Sequence, residues 1–323
     1  MTIQTTLART AEEMDEMRPL WEFLCASERT TIFQDFGWNR LAATTFAGRE
    51  EPWVVCAQCS YGVAIVPAAV RPADGTVRFL GEELFDYRCF LHAGEDSVLA
   101  VALAELAALR RPLEAIALRE QDLNRVTKCL SLYPFSAAPQ VCPAESSPDE
   151  FAARHRRLAR NLRRLERAGL AIQSYSGNNS QLLRFIYDNK AIQDSRSLFR
   201  DPLRVRCLMD AARLQPSAFE IFALESGSTM AAAVVTLRDQ SVRRFYTGWF
   251  SPKFEKLSPA VTLIYEVTRR SLAEGLVCDY MTGEQPYKMR LATSCVPLFR
   301  LHASPQQLDA MASITMPSSI SAA

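Results

Sequence analysis

Residues 219–250 read FEIFALESGSTMAAAVVTLRDQSVRRFYTGWF, and the division of this stretch decides the fold. Three β-prone runs (219–225, 229–239 and 242–250) are parted by SGS and QS, separators of hairpin size. The pattern predicts three consecutive antiparallel strands. Downstream, Ser258-Pro259 opens a helix that ends at Gly275, LVCDYM (276–281) reads as a buried strand, QPYKMRLA as a short helix and VPLFRLHA as a last strand. Upstream, Ser147-Pro148-Asp149-Glu150 is a helix start. Phe151, Leu158, Leu162 and Leu165 then recur at helical spacing until Gly169. A short strand at 171–175 and helices near 179–197 and 202–214 complete the order β-α-α-β-β-β-α-β-α-β.

The first half repeats this order. A strand near 3–8 precedes helices near 11–27 and 35–46, then strands at 52–58, 61–71 and 76–80. An Ala- and Leu-rich helix (97–110), the strand LEAIALRE, a helix from Gln121 and a strand near 133–140 follow. A repeat of this length means two similar domains rather than a solenoid of short units. The expected division is 1–140 and 141–304, joined through the Pro-rich stretch APQVCPAESSPDE (138–150), with a flexible tail at 305–323. The predicted class is α/β (α+β), each domain a mixed, mostly antiparallel sheet flanked by helices.

Hydrophobic residues make up 48% of the 323 and charged residues 23%, with a net charge of +1. No global field therefore draws the chain to nucleic acid, DNA included, or to a membrane, and any basic site must be local. The amino-terminal stretch lacks the apolar core of a signal peptide, and no run approaches the roughly 18 apolar residues of a membrane span. The reading is a soluble cytoplasmic protein. Cys56 and Cys59 have C-x-x-C spacing but lie between strand-like runs with no second ligand pair, and His92, His155 and His302 are scattered. Buried reduced thiols are expected, and no metal.

One helix is unusually basic. Arg154, Arg156, Arg157, Arg160, Arg163, Arg164 and Arg167 face only Glu166 within it, and the leucines form the opposite stripe. A solvated face is one reading. An anionic partner is the other, with a small anion favoured over RNA because interleaved aromatics are missing.

The element order, met twice, resembles the GNAT acyltransferase fold. It is most similar to the tandem-domain branch that holds the Fem-type aminoacyl transferases and the acetyltransferases linked to cellulose and exopolysaccharide synthesis. NLRRLERAG, RRFYTGWFSPKFEKLSPAVTLIYEVTRRSLAEG and DYMTGEQPYK carry the resemblance in the second half; FQDFGWNRL, the WVVCAQ and GVAIVPAAV runs and GEELFDYRCFL carry it in the first. It implies acetyl-CoA or another acyl-CoA as donor substrate. Under that resemblance, the loop Ser251–Ser258 and the helix after it hold the pyrophosphate, with Lys253, Lys256, Leu257, Ser258, Ala260 and Val261 as the candidate donor contacts. The loop lacks the glycines usual in the family.

The corner DYMTGEQPYK offers the chemistry. Glu284 or Asp279 could accept the proton of the attacking amine or hydroxyl, although Asp279 also suits a structural role inside its strand. The resemblance makes Tyr287 the acid for the leaving thiolate, and packing is its other reading. Lys288 could meet phosphate or the developing oxyanion. Asp86, Tyr87, Arg88, Tyr187 and Lys190 are candidate acceptor contacts, and Arg160 and Arg164 are candidates for an anionic substrate. The leading expectation is an N- or O-acyltransferase acting on a sugar- or amine-bearing acceptor, in envelope or exopolysaccharide metabolism by resemblance. A Fem-like transferase using aminoacyl-tRNA and a non-catalytic acyl-CoA- or partner-binding scaffold remain open.

Overall fold

The computed structural model describes residues 2–26, 30–81, 84–123 and 125–314. The chain forms two compact units, one of Met1–Ser136 with Pro297–Ala323 and one of Ala137–Val296. In chain order the elements of the first are β1 (Gln4–Ala8), α1 (Ala11–Met14), α2 (Arg18–Cys25), α3 (Phe36–Thr45), β2 (Glu51–Cys59), β3 (Gly62–Arg71), β4 (Thr76–Phe79), β5 (Leu91–Gly94), α4 (Asp96–Glu105), β6 (Leu113–Arg119) and α5 (Arg125–Lys128). β7 (Ser131–Val141) runs into the second unit. There follow α6 (Pro148–Arg154), α7 (Arg156–Arg167), β8 (Ala171–Ser176), α8 (Ser180–Gln193), α9 (Pro202–Leu214), β9 (Phe219–Ser226), β10 (Thr229–Asp239), β11 (Val242–Phe250), α10 (Pro259–Ala273), β12 (Val277–Asp279) and α11 (Pro286–Leu291). β13 (Ser294–Ala303) and α12 (Pro305–Ile314) close the described chain.

Both units share one topology. In the first, the order β1-β2-β3-β4-β6-β13 is antiparallel except for the β4–β6 pair, and β5 adds to β3. In the second, β8-β9-β10-β11-β12-β7 is antiparallel except for β11–β12. A parallel pair needs a crossover, and α4 and α10 supply it. Each helix packs its apolar side on its own sheet. Leu99 and Leu103 of α4 join Val55 and Val66, and Leu263 and Val267 of α10 join Val234 and Leu224.

The sixth strand of each sheet comes from beyond its own half of the sequence. β7 pairs with β12 through Val141↔Cys278 and Gln140↔Asp279, while β13 pairs with β6 through Leu298↔Arg119 to Ala303↔Leu113. The expected division placed residues up to 304 in the second domain, whereas Pro297–Ala323 group here with the first unit. The expected loose tail differs as well: residues 305–314 form α12, whose Leu308 and Met311 are buried in the same core as α4. Residues 315–323 lie outside the described chain. The stretch expected as one helix over 11–27 is α1, a short 3-10 turn and α2, because Pro19 suits only the first turn of a helix.

Local signals explain the elements around the site. Ser147 and Glu150 form a reciprocal cap at α6, with Pro148 at the first helical position. α7 buries Leu162 and Leu165 and stops at Gly169 (φ +83°), where the Leu170 amide donates to the Leu165 carbonyl at 3.1 Å. Among the described residues, no helix is long and apolar enough to cross a membrane.

Leu308 is fully buried, so Leu308→Ala is expected to cost about 2–5 kcal/mol of unfolding free energy. Urea unfolding followed by circular dichroism reads this directly. A loose tail would give no measurable change.

Candidate active site

The site begins where two parallel strands part. β11 and β12 pair only at Val242↔Val277, Arg243↔Cys278 and Arg244↔Asp279, yet β11 runs on to Phe250 against β10. Asp279 causes the parting. Its Oδ1 accepts from the Met281 amide at 2.7 Å, which turns the chain into a left-handed residue (Met281, φ +63°). The Tyr280 and Gly283 amides then donate to Pro139 and Ala137 at 2.9 Å each, so the chain follows the β7 segment instead of β11. Gly283 has φ +108°, a conformation only glycine adopts readily. From Phe245 to Phe250, β11 therefore presents one edge without a strand partner among the described residues.

Asp279 is 6% exposed and Arg244 4%, and the two form an ion pair. A second bond runs from Arg244 Nη2 to Asp239 at 3.0 Å. Both carboxylate oxygens of Asp279 are thus engaged. Lys288 is buried, and its Nζ donates to the carbonyls of Thr282 (2.8 Å) and Met281 (3.3 Å). It ties α11 back to the turn.

After β11, a short 3-10 turn leads to Ser258, which takes a left-handed conformation (φ +47°, ψ +56°) before Pro259 starts α10. Serine thus makes the turn for which glycine would be the easier residue, at roughly 1–2 kcal/mol of backbone strain. Asn161 of α7 supports the turn, its Nδ2 donating to the Leu257 carbonyl at 3.0 Å, and Thr262 Oγ1 donates to the same oxygen at 3.0 Å. The first amides of an α-helix have no helical acceptors.

A cavity of about 400 Å³ lies between the helices that follow the two parted strands. α6 and α7, with the residue joining them, contribute Arg154, His155, Arg157, Leu158 and Asn161; α10 and the residue before it contribute Val261 and Ser258; α11 contributes Tyr287, Arg290 and Leu291. Three guanidinium groups and no carboxylate line it. Burial raises the Tyr287 phenol above its ordinary range, which keeps it protonated at neutral pH. Burial, assisted by the neighbouring Arg154 charge, lowers His155 from its ordinary value. The His155 ring packs on Phe151 (4.6 Å) and Tyr265 (6.3 Å), and its buried Nε2 has no hydrogen-bond partner among the described residues.

The expected residues divide clearly. Tyr287, Ser258 and Val261 line the cavity, and Leu257 and Ala260 flank them. Lys253, Lys256 and Glu284 are exposed, outside its lining. Arg160 and Arg164 are exposed further along α7. Tyr187 is fully buried and stacked on Phe199 at 4.7 Å, and its hydroxyl meets no partner among the described residues. Lys190 faces Asp194 at 3.7 Å. In the first unit Tyr87 and Arg88 are buried, Tyr87 beneath the Arg119 guanidinium and Arg88 over the Phe85 ring, while Asp86 is half-buried. Sequence reasoning passed over His155 and Arg290 as site residues, and weighed Arg154 and Arg157 only within the basic helix as a whole. Their signal was present only as a lone histidine and arginines among many.

Residues 152–289 match the sequence model of the acetyltransferase (GNAT) domain family. No curated protein matches the chain. Among solved structures, FemX superposes with a TM-score of 0.58 at 11% identity, covering 93% of this chain and 97% of its own. L-PGS from Bacillus licheniformis gives 0.55 at 11% identity, with 92% and 96% covered. A tandem GNAT protein from the clavulanic acid biosynthesis pathway gives 0.52 at 9% identity, with 94% and 99% covered. At such identities the likeness is one of fold, and it bears out the expected mixed α/β class.

Two measurements test this geometry. Asp279→Ala leaves the Arg244 charge buried with one fewer counterion, so unfolding free energy should fall by about 3–5 kcal/mol. His155 binds its proton more weakly folded than unfolded. Below pH 6.5, its ordinary value, the unfolded chain holds the extra proton and stability falls with pH down to the lowered folded value. The melting temperature of His155→Gln should therefore decline less than that of the wild type as pH drops from about 7 to 5. Parallel declines would show that His155 does not titrate in this interval.

Proposed function

We propose that the second unit is an acyl-CoA-dependent N- or O-acyltransferase, with acetyl-CoA as the simplest donor. The make-up of the cavity carries this reading. Arg154, Arg157 and Arg290 line it together with Ser258, Val261 and Tyr287, and no carboxylate is in the lining. Guanidinium groups bind phosphate oxygens in pairs, and unpaired amides at a helix start favour the same charge. Lys253 and Lys256 add positive charge on the loop outside. The open edge of β11 from Phe245 to Phe250 suits an extended pantetheine arm, whose amides can pair with backbone groups as an added strand would.

The thioester supplies the activated acyl group. Its carbonyl is attacked by an amine or hydroxyl of the acceptor, the C–S bond breaks, and the departing thiolate takes a proton from the Tyr287 phenol. A base must accept the proton of the attacking group. Glu284 stands in the loop leading into α11, and His155, held towards its neutral form, lines the cavity itself. Asp279 and Lys288 are assigned the task of holding the corner that carries Tyr287. A sugar- or amine-bearing acceptor of envelope or exopolysaccharide metabolism is supported by the resemblance of the sequence alone. The resemblance of the sequence to Fem-type transferases keeps an aminoacyl-tRNA donor as the second reading.

Acetyl-CoA at about 1 mM should raise the melting temperature by linkage, and the combined Arg154→Gln, Arg157→Gln and Arg290→Gln variant should lose most of that shift. An unchanged shift in the triple variant would place the donor elsewhere, and a shift with aminoacyl-tRNA alone would favour the second reading. On a proven acceptor, Tyr287→Phe should keep the shift and lower turnover about 10²–10⁴-fold. Under the same assay, the larger loss between Glu284→Gln and His155→Gln identifies the base.

A further inference from the structure

The two units differ in charge although the chain as a whole is nearly neutral. The second carries 23 Lys and Arg against 16 Asp and Glu, the first 14 against 20. Much of the second unit's excess sits on α7. Arg156, Arg157, Arg160, Arg163, Arg164 and Arg167 are all exposed, and none forms an ion pair among the described residues. Elsewhere in the same unit Arg184, Arg204, Arg206, Arg213, Arg238, Arg243, Arg244, Arg269 and Arg270 each meet a carboxylate. Exposed Arg196, Arg200 and Arg290 form no ion pair among the described residues either, but they are scattered, whereas α7 gathers six such arginines on one helix.

Helical geometry arranges them. At about 100° per residue, positions 156, 160, 163 and 167 fall within about 60° of one another, and 157 and 164 widen the stripe to about 120°. The stripe runs about 16 Å along the axis at roughly 1.5 Å per residue. Asn161, Leu162 and Leu165 occupy the buried side. An arc of this width is what a helix lying flat presents to a plane. Arg157 belongs both to the stripe and to the cavity lining, so the stripe reaches the cavity rim.

We propose that the arginine stripe of α7 is a docking surface for the anionic phospholipid face of a bilayer. A basic stripe of four to eight charges on an amphipathic helix is attracted to such a surface by about 1 kcal/mol per residue, about fivefold in partition. The stripe holds no aromatic side chain on which bases would stack, which disfavours a nucleic-acid strand. It also holds no apolar side chain to insert, so attachment is electrostatic and superficial. This inference goes beyond the acyl-transfer reading and stands if that reading fails. Where both hold, the cavity rim lies at the lipid surface, and the acceptor is one displayed there.

The test is co-sedimentation of the full chain with vesicles of phosphatidylcholine containing about 30% phosphatidylglycerol, against phosphatidylcholine alone. Binding is expected only to the anionic vesicles and should be lost near 0.5 M salt, where the Debye length falls to about 4 Å. Replacing Arg156, Arg160, Arg163 and Arg167 with Gln, while leaving the cavity residues Arg154 and Arg157 in place, should lower partition several-hundred-fold at about fivefold per charge. The same four positions changed to Lys should keep it, which separates lost charge from lost folding. Equal binding to neutral vesicles, or undiminished binding by a folded Gln variant, overturns the proposal. So does retention of a duplex RNA under conditions where the anionic vesicles are not bound.

Discussion

A buried arginine between one buried and one half-buried carboxylate sets the geometry on which the second unit's site depends. Arg244 bridges Asp239 at the end of β10 and Asp279 at the end of β12. Desolvation makes such a pairing a poor source of net stability, but it is a strict source of geometry, because few other arrangements satisfy all the charges. With one oxygen held by Arg244, Asp279 keeps the other for the Met281 amide. The turn, the departure of the chain from β11, the position of α11 and the placing of Tyr287 follow in sequence. Lys288 closes the loop by returning to the carbonyls of the same turn.

Among the described residues, two of the five non-glycine positions with positive φ adjoin the walls of the cavity. Of the non-glycine residues with positive φ, Ser258 precedes the α10 wall of the cavity and Met281 precedes the α11 wall. Each departs from comfortable backbone geometry by roughly 1–2 kcal/mol, and each is held there by side chains from other elements. Asn161 and Thr262 grip the first turn through Leu257, and Asp279 grips the second. The absence of glycine from the loop before α10 therefore does not prevent the turn from forming. It transfers the task of holding that turn to α7.

Much of this architecture was legible from residues alone, because its signals are local. β10 and β11 occupy the runs read from hairpin separators, and α9 follows Asp201-Pro202 as written. β5 escaped notice because four residues, LHAG, carry no periodicity. The exchange of β7 and β13 escaped for a different reason: alternating apolar residues declare a strand but not its neighbour. The site was half legible. A tyrosine on a helix gives the same signal whether it faces a cavity, as Tyr287 does, or a core, as Tyr187 does. His155 drew no attention because its significance lies in the aromatic rings and arginine that surround it in space.

The exchanged strands also bear on synthesis. β6 leaves the ribosome long before β13, the strand that completes its sheet, since almost the whole second unit lies between them in the sequence. At roughly 5–20 residues per second, the nascent first unit waits on the order of ten seconds or more with that edge uncovered. An uncovered edge invites pairing with another chain. The short length of β6 and the polar side chains of Glu114 and Arg119 along it give the growing chain some protection during that interval.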